Sequence, residues 1–93
     1  MSDDLVVSGE EAQKVADALT ATSFRILELL SEERLDVTTI AERLRLSQAY
    51  ISGQVRALDE LQLIKVTYER GKKGTRKICE SAVKRIIIEV KRG

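Results

Sequence analysis

The stretch of residues 37–61, VTTIAERLRLSQAYISGQVRALDEL, constrains the fold of this chain more than any other segment. Ile40, Ala41 and Leu44 recur at helical spacing, which predicts a first helix over about residues 38–44 with one apolar stripe. A short turn follows, and Ser47 then stands where a side-chain oxygen can accept from the free N–H groups of a new helix. The pattern therefore predicts two helices joined at a sharp angle, a helix-turn-helix.

The second helix of this motif has one apolar face and one polar face. Ile51, Val55 and Leu58 recur at steps of four and three, so we expect them in the core. Between Gln48 and Ala57 the other face carries a single charge, Arg56, whereas a solvated surface helix, which is the alternative interpretation, more often carries Glu and Lys. Gln, Arg, Ser and Ala are side chains that recognise base edges. We therefore predict DNA contacts from this motif at Thr38, Ser47, Gln48, Ala49, Tyr50, Ser52, Gly53, Gln54 and Arg56.

Gly53 lies in the interior of the second helix, where glycine costs about 1 kcal/mol relative to alanine. A close approach of the helix backbone to DNA would account for a glycine there. Tight packing on a neighbouring helix or simple sequence drift would account for it as well, and the sequence leaves all three possibilities open.

A largely apolar helix is predicted before the helix-turn-helix. Thr22 or Ser23 is expected to begin it. Its apolar residues cover well over half of the helix circumference, and they are Phe24, Ile26, Leu27, Leu29 and Leu30. We therefore expect this helix to lie in the core.

A basic hairpin is predicted directly after the helix-turn-helix. Residues 63–68 alternate as a strand, Ile78 with Cys79 marks a second strand, and residues 70–75 form the loop between them. Long cationic side chains on a glycine-rich hairpin can reach phosphates or a minor groove, although a solvated turn also often carries Lys. We predict that this hairpin is a wing that contacts DNA through Arg70, Lys72, Lys73, Thr75 and Arg76.

The run FRILELLSEERLDVTTIAERLRLSQAYISGQVRALDELQLIKV resembles the ArsR-type winged-helix transcription repressors. The shared features are an Arg-Ile-Leu helix, a Leu-x-Val-x-x-Leu-Ala-like helix, and Leu-Ser-Gln followed by Val-x-x-Leu, within a match that extends over about residues 19–77. Ala21 stands where the family usually has Pro, and Gly53 and Gln54 stand where it often has Arg and His. The resemblance implies a mainly α fold with a small β wing: helix, helix, helix-turn-helix, β-hairpin and a possible C-terminal strand.

The length, charge distribution and cysteine content limit the kinds of protein that this chain can be. Ninety-three residues predict one domain over residues 1–93, and a chain of this size gains stability from a partner subunit. The net charge is only +1, but residues 65–93 carry ten basic side chains against three acids, which can give a strong local field. A single cysteine, the lack of a long apolar run and the lack of a signal-peptide pattern predict a cytoplasmic protein.

The two ends of the chain are predicted to form the subunit contact. Residues 1–7 form a short arm that is either disordered or an edge strand, and Ser8 with Glu11 has the spacing of a capping box for the next helix. Residues 81–93 fit a strand from about residue 85 or, alternatively, a helix. In many relatives a terminal helix supplies the dimer interface. We predict a homodimer interface at Ala12, Val15, Leu19, Ile86 and Ile88, although this first helix could instead pack only on its own domain.

Catalytic and metal chemistry are not predicted. The sequence has no His, no glycine-rich phosphate-binding loop before a helix and no convergent acids, so we expect no enzyme activity and no cofactor. The resemblance implies a Cys-x-Cys metal site where this chain has Asp36, Val37 and Thr38, so we expect no metal sensing. Cys79 is expected to be a small buried hydrophobe, with a redox or intersubunit disulfide role as the alternative.

These observations predict a sequence-specific double-stranded DNA-binding transcription regulator of the repressor type. Two alternatives stay open. The first is an architectural, chromatin-type binder with little sequence preference, for which the wing charge would suffice. The second is a winged-helix module that binds another protein through the apolar, acidic N-terminal helix.

Overall fold

The computed structural model describes residues 3–91, and the helix-turn-helix lies along the chain between two strands of one three-stranded sheet. Within this range the elements are β1 (Asp4–Val7), α1 (Gly9–Ala18), α2 (Ala21–Glu32), β2 (Leu35–Asp36), α3 (Val37–Leu44), α4 (Gln48–Glu60), β3 (Ile64–Gly71), β4 (Gly74–Ser81) and β5 (Arg85–Ile88). The first two residues of the predicted arm and the last two of the predicted C-terminal extension lie outside the described residues.

The helix-turn-helix forms where the sequence predicts it. The hydroxyl of Ser47 accepts from the N–H of Tyr50 at 3.1 Å and so begins α4, as the capping pattern predicts. Arg45 takes a left-handed backbone conformation with φ of 58°, and its N–H caps the carbonyl end of α3. This conformation turns the chain sharply enough for α4 to pack against α3.

The two preceding helices differ from the prediction in how they are capped, although Ser8 is the N-cap residue of α1 as predicted. Helix α2 begins at Ala21 because Thr20, rather than Thr22 or Ser23, caps it, and Thr20 and Ser23 form a reciprocal capping box. Ser8 precedes α1, but its side chain makes no capping hydrogen bond, so the predicted capping box with Glu11 is absent. Gly9 explains this difference, because its φ of +59° takes the chain off the regular path into a helix.

Phe24 lies outside the core, although the sequence predicts it among the apolar residues of a core helix. Ile26 and Leu30 are 0% and 3% exposed, whereas Phe24 is 54% exposed. Two residues along a helix turn the side chain by about 200°, so Phe24 points away from the direction that Ile26 takes. The apolar pattern of α2 covers more than half of its circumference, and only one side of it packs against α4 and β4.

The core is built from the residues predicted for α3 and α4. Ile40, Ile51, Val55 and Leu58 are all 0% exposed and belong to one cluster with residues of α2 and the wing strands. Full burial of each such side chain stabilises the fold by roughly 1.5 to 3 kcal/mol. This cluster holds the inner face of α4 and leaves its other face towards solvent.

The wing is a three-stranded antiparallel sheet in the order β2, β4, β3. Strands β3 and β4 pair as far as Gly71 and Gly74, so the turn between them is only Lys72 and Lys73, which is tighter than the predicted loop over residues 70–75. Gly74 has a φ of +114°, a conformation that favours glycine and permits this short turn.

The two ends of the chain pair with each other. Strand β1 lies parallel to β5 with Leu5 opposite Ile86 and Val7 opposite Ile88. Of the two conformations that the sequence leaves open for residues 82–91, the strand is therefore present, and the helical alternative is wrong. The arm is likewise ordered as a strand from Asp4. Its inner side packs with α1 around Val15, which is 1% exposed.

Candidate nucleic-acid interface

The outer face of α4 is exposed between Gln48 and Arg56. Gln48, Ala49, Ser52, Gly53 and Arg56 are all exposed, while the opposite face is fully buried. The side chains on this face are short except at its two ends, so another surface could approach the helix backbone closely. Such a face has the dimensions and the hydrogen-bonding groups to enter a major groove.

Gly53 is not required for packing within the chain. A Cβ atom built at Gly53 would meet no atom within 4 Å. The idea that this glycine lets a neighbouring helix pack tightly is therefore wrong for the chain by itself. A close approach of DNA and simple sequence drift stay open.

Two glutamines of α4 have side-chain contacts with other helices. The hydroxyl of Thr38 donates to Oε1 of Gln48 at 3.3 Å, which ties the N-terminal end of α4 to α3. The hydroxyl of Thr20 lies 3.4 Å from Oε1 of Gln54, whose side chain is half-buried. Gln48 therefore presents its amide NH₂ group to solvent as a donor, whereas Gln54 is partly withdrawn from the surface. Tyr50 extends the exposed face at the start of the helix and is 44% exposed.

The tip of the wing concentrates positive charge. Arg70, Lys72, Lys73 and Thr75 are all exposed, and they occupy the ends of β3 and β4 and the turn between them. Tyr68, which the sequence-based prediction did not include, is 68% exposed on β3 of the same hairpin. The alternation of the strand could have indicated it, because Tyr68 shares a face with Arg70. Cations and an aromatic ring therefore share one end of the molecule.

Arg76 is held by an acid of the helix-turn-helix. Its guanidinium donates to Oδ2 of Asp36 through Nη2 at 2.6 Å and Nε at 3.2 Å. Asp36 also caps α3, because its Oδ1 accepts from the N–H of Thr39 at 2.8 Å. These bonds, first to Thr39 and then to Arg76, lower the pKa of the Asp36 carboxyl from 3.8 to about 2. The wing is thus tied to the start of α3, and part of the charge of Arg76 is already balanced within the chain.

A second ion pair network braces the base of the wing. Nη2 of Arg34 lies 2.8 Å from a carboxylate oxygen of Glu69, and Nε of Arg34 lies 3.5 Å from Glu80. The Arg34 and Glu69 side chains are each about half exposed, so the pair contributes more to orientation than to stability. Both networks orient the hairpin relative to the helices that precede it.

The residues predicted for the subunit contact occupy different environments. Ala12 and Val15 are 7% and 1% exposed, so this structure leaves little of either side chain for a partner. Leu19 and Ile86 are partly buried against the same cluster, and Ile88 is 40% exposed. Only the C-terminal part of the predicted interface therefore offers substantial apolar surface.

Cys79 is fully buried within the core, as expected for a small hydrophobe. Burial raises the pKa of its thiol above the ordinary value. Among residues 3–91, no three His, Cys, Asp or Glu side chains are grouped so that they could hold a metal ion. None of the helices in that range has the length and apolarity needed to cross a membrane.

The helices and the hairpin together define a winged helix-turn-helix fold. Residues 22–66 match the model of the family described as bacterial regulatory protein, arsR family. The part of the chain that carries the helix-turn-helix is therefore similar to this family, and the chain has a winged helix-turn-helix fold. No curated protein sequence gives a significant match to the chain.

Solved structures of three bacterial proteins share this fold. ZitR from Lactococcus lactis is 31% identical with a TM-score of 0.59, over 68% of this chain and 42% of the ZitR chain. A mutant of ZitR has been solved in complex with DNA. Mb0332 from Mycobacterium bovis, solved as a homodimeric DNA-binding domain of a possible ArsR-family regulator, is 24% identical with a TM-score of 0.68, over 78% of this chain and 65% of its own. HlyU from Vibrio cholerae is 20% identical with a TM-score of 0.66, and the match covers 80% of this chain and 75% of the HlyU chain. The matched part of this chain thus spans less than half of the ZitR chain.

Proposed function

We propose that this protein is a homodimeric, sequence-specific double-stranded DNA-binding transcription regulator that acts as a repressor in the cytoplasm without sensing metal. The observation that carries the proposal is the exposed outer face of α4 between Gln48 and Ala57, where Arg56 is the one charge, next to a wing with cations at its tip. The DNA complex of a ZitR mutant supports this use of the fold.

In the proposed complex, α4 lies in the major groove and the wing follows the backbone or the minor groove. Gln48 and Arg56 stand at the two ends of the exposed face of α4, where their donors could pair with acceptors on base edges. Ser47, Ala49, Tyr50, Ser52, Gly53 and Gln54 lie beside them, and Thr38 supports Gln48 from α3. Two such helices in a dimer would read half-sites about 34 Å apart, or about 10 base pairs.

The wing supplies affinity more than specificity in this proposal. Arg70, Lys72 and Lys73 of each subunit are exposed and free to follow phosphates, so a dimer offers them twice. Each phosphate that is neutralised releases about 0.9 counterion, so six such contacts give a salt dependence with a slope of about −5. Arg76 mainly orients the wing through Asp36 in this arrangement.

The proposal that the protein does not sense metal rests on the position where the family resemblance implies a Cys-x-Cys metal site. Asp36 occupies it here, and its carboxylate is already engaged by the N–H of Thr39 and the guanidinium of Arg76. Zinc-like ions prefer thiolate and imidazole ligands to a single carboxylate, so this side chain is a poor replacement.

The direct test compares a preferred duplex, selected from random sequences, with a scrambled duplex. Gln48→Ala and Arg56→Ala should each weaken binding to the preferred duplex by roughly 1 to 3 kcal/mol and change binding to the scrambled duplex little. Gln13→Ala is a matched control, because Gln13 is an exposed glutamine on α1. Equal losses on both duplexes would favour the architectural binder, and no binding to either would favour the protein-interaction module.

A further inference from the structure

Strand β5 has a partner on one edge and an open edge on the other within the described part of the chain. It pairs with β1 in a two-stranded parallel sheet, and the three-stranded wing sheet does not extend it. Parallel sheets are usually covered on both faces, and an open edge strand rich in Ile is a template for pairing with another chain. The packing of one protomer therefore does not account for the open, Ile-rich edge of β5.

The backbone of β5 directs Ile86 and Ile88 towards the open edge. Glu89, just after the strand, donates its N–H to the carbonyl of Val7 at 2.8 Å, which fits the parallel register, so its peptide groups face β1. Successive residues of a strand face alternate sides, so Arg85 and Ile87 also face β1, whereas Ile86 and Ile88 face the open edge. Ile86 and Ile88 therefore each present an N–H and a carbonyl to a further strand.

The sequence of β5 and the residue after it complements itself around Ile87. Residues 85–89 read RIIIE, so an antiparallel copy centred on Ile87 places Arg85 opposite the partner's Glu89 and Ile86 opposite the partner's Ile88. Opposite charges and branched apolar side chains are both favourable as directly opposed pairs. A twofold axis repeats each pair, because a residue contact made by one copy is made again by the other.

An apolar groove lies beside this open edge. It has a volume of about 250 Å³, and it is lined by residues of α2 and β5, among them Phe24, Leu27 and Ile88, but by none of β1. Phe24 is 54% exposed and Ile88 is 40% exposed there. A copy of β5 added at the edge would place the partner's Ile86 and the partner's Ile88 on this side of the sheet. The exposed Phe24 would then have an apolar neighbour.

The other face of the same sheet carries a second apolar patch. Val6 and Ile87 are directly paired, and they are 54% and 39% exposed. The ion pair between Asp4 and Arg85 borders the patch at one end. A second copy would join the two patches into one surface across the axis, flanked by the paired charges of Arg85 and the partner's Glu89.

We propose that two copies of this chain dimerise by antiparallel pairing of their β5 strands about a twofold axis at Ile87, which forms a four-stranded sheet and covers the groove at Phe24. The inference rests on the homodimer in the proposed function and names its interface. It does not depend on DNA binding, so the two can fail separately.

Charge reversal tests the pairing by sedimentation equilibrium of the full chain without DNA. The parent should be a dimer at micromolar concentration, and Glu89→Arg should raise the dimer dissociation constant at least tenfold, because like charges would oppose each other twice. Glu60→Arg is the matched control, since Glu60 is an exposed glutamate at the end of α4 and the change in net charge is the same. Arg85→Glu should also weaken the dimer, and an equal mixture of the E89R and R85E chains should restore it.

Cysteine cross-linking tests the register and does not depend on how well R85E folds. With Ile87 on the axis, the two copies of this residue form a non-hydrogen-bonded antiparallel pair, whose Cα atoms lie about 4.5 Å apart, within the range of a disulfide. Ile87→Cys should therefore form a covalent dimer on mild oxidation, while Ile88→Cys, whose neighbour across the axis is the partner's Ile86, should not. The native Cys79 is buried and leaves the assay undisturbed.

Three results would overturn the proposal: a monomeric parent at micromolar concentration, an E89R dimer as tight as that of E60R, or equal cross-linking of I87C and I88C. A monomer that still binds DNA would overturn the interface and leave the proposed function standing. A dimer with the expected cross-link that binds no DNA would support the interface and overturn the proposed function.

Discussion

Replacement of Asp36 should separate the two roles that its carboxylate has in the structure. The side chain caps α3 and also holds Arg76 of the wing. Loss of a helix cap costs about 1 kcal/mol, and an ion pair whose Arg76 side chain is 57% exposed contributes at most about 1 kcal/mol. Asp36→Ala should therefore lower the free energy of unfolding by about 1.5 to 2 kcal/mol. Asp36→Asn should lower it by less than about 1 kcal/mol, because Asn caps helices as well as Asp.

The pH dependence of stability gives a second measure of the same carboxylate. Its pKa is about 2 in the folded protein, against 3.8 for the ordinary group. A lowered pKa means that the contribution is present above pH 3.8 and is lost as the pH falls through about 2. The difference of pKa corresponds to at most about 2.4 kcal/mol, which solvent screening reduces to about 1 kcal/mol or less.

Urea denaturation of the parent, D36N and D36A between pH 7 and pH 2 measures both effects. The stability advantage of the parent over D36N should be constant down to about pH 4 and then shrink. Added salt should reduce the loss in D36N more than the additional loss in D36A, because only the ion pair is screened. A D36A protein as stable as the parent at pH 7, or a parent advantage over D36N that grows below pH 4, would refute this account of Asp36.

Three further changes test other parts of the structure. Arg76→Ala should reduce the salt dependence of DNA binding less than Arg70→Ala, because Asp36 already balances the charge of Arg76; equal reductions would contradict the positioning role. Ile51→Ala should destabilise the fold by about 2 to 5 kcal/mol in urea melts, because the side chain is 0% exposed, while a change near zero would refute its place in the core. The thiol of Cys79 should react with a disulfide reagent only as fast as the protein unfolds, since burial also raises its pKa; rapid reaction of the native protein would contradict that burial.

The helix-turn-helix could be predicted from sequence because the signals that define it are local. The spacing of Ile51, Val55 and Leu58 indicates which side of α4 is buried, and Ser47 indicates where the helix begins. β-propensity likewise favoured a strand over residues 85–88, although it left a helix possible. In each case neighbouring residues carried the information.

The features that were missed depend on contacts between distant parts of the chain. Arg76 and Asp36 are 40 residues apart, and the parallel pairing of β1 with β5 joins Asp4 to Arg85 across 81 residues. No periodicity within either segment predicts such a partner. Phe24 was misplaced for a related reason, because a helix that is apolar on most sides does not reveal which side meets the core.

The DNA-contact residues remain predictions, but the structure shows which of them can act together. Exposure of Gln48, Ser52 and Arg56 on one face agrees with a shared role, whereas Gln54 is half-buried. Thr38 is placed to orient Gln48. These placements follow from how α3 and α4 pack, which single-residue preferences do not describe.

The most direct test of DNA recognition is a titration of the parent protein against its preferred duplex and a scrambled duplex at several salt concentrations. Binding should weaken with salt at a slope of about −5 on both duplexes, and the preferred duplex should bind at least about a thousandfold more tightly. Lys72→Ala with Lys73→Ala should lower the slope by about 3 to 4, because the dimer loses four phosphate contacts, and should keep the ratio between the duplexes. Undetectable binding of the parent even at low salt, or a ratio near one, would contradict sequence-specific DNA recognition by this protein.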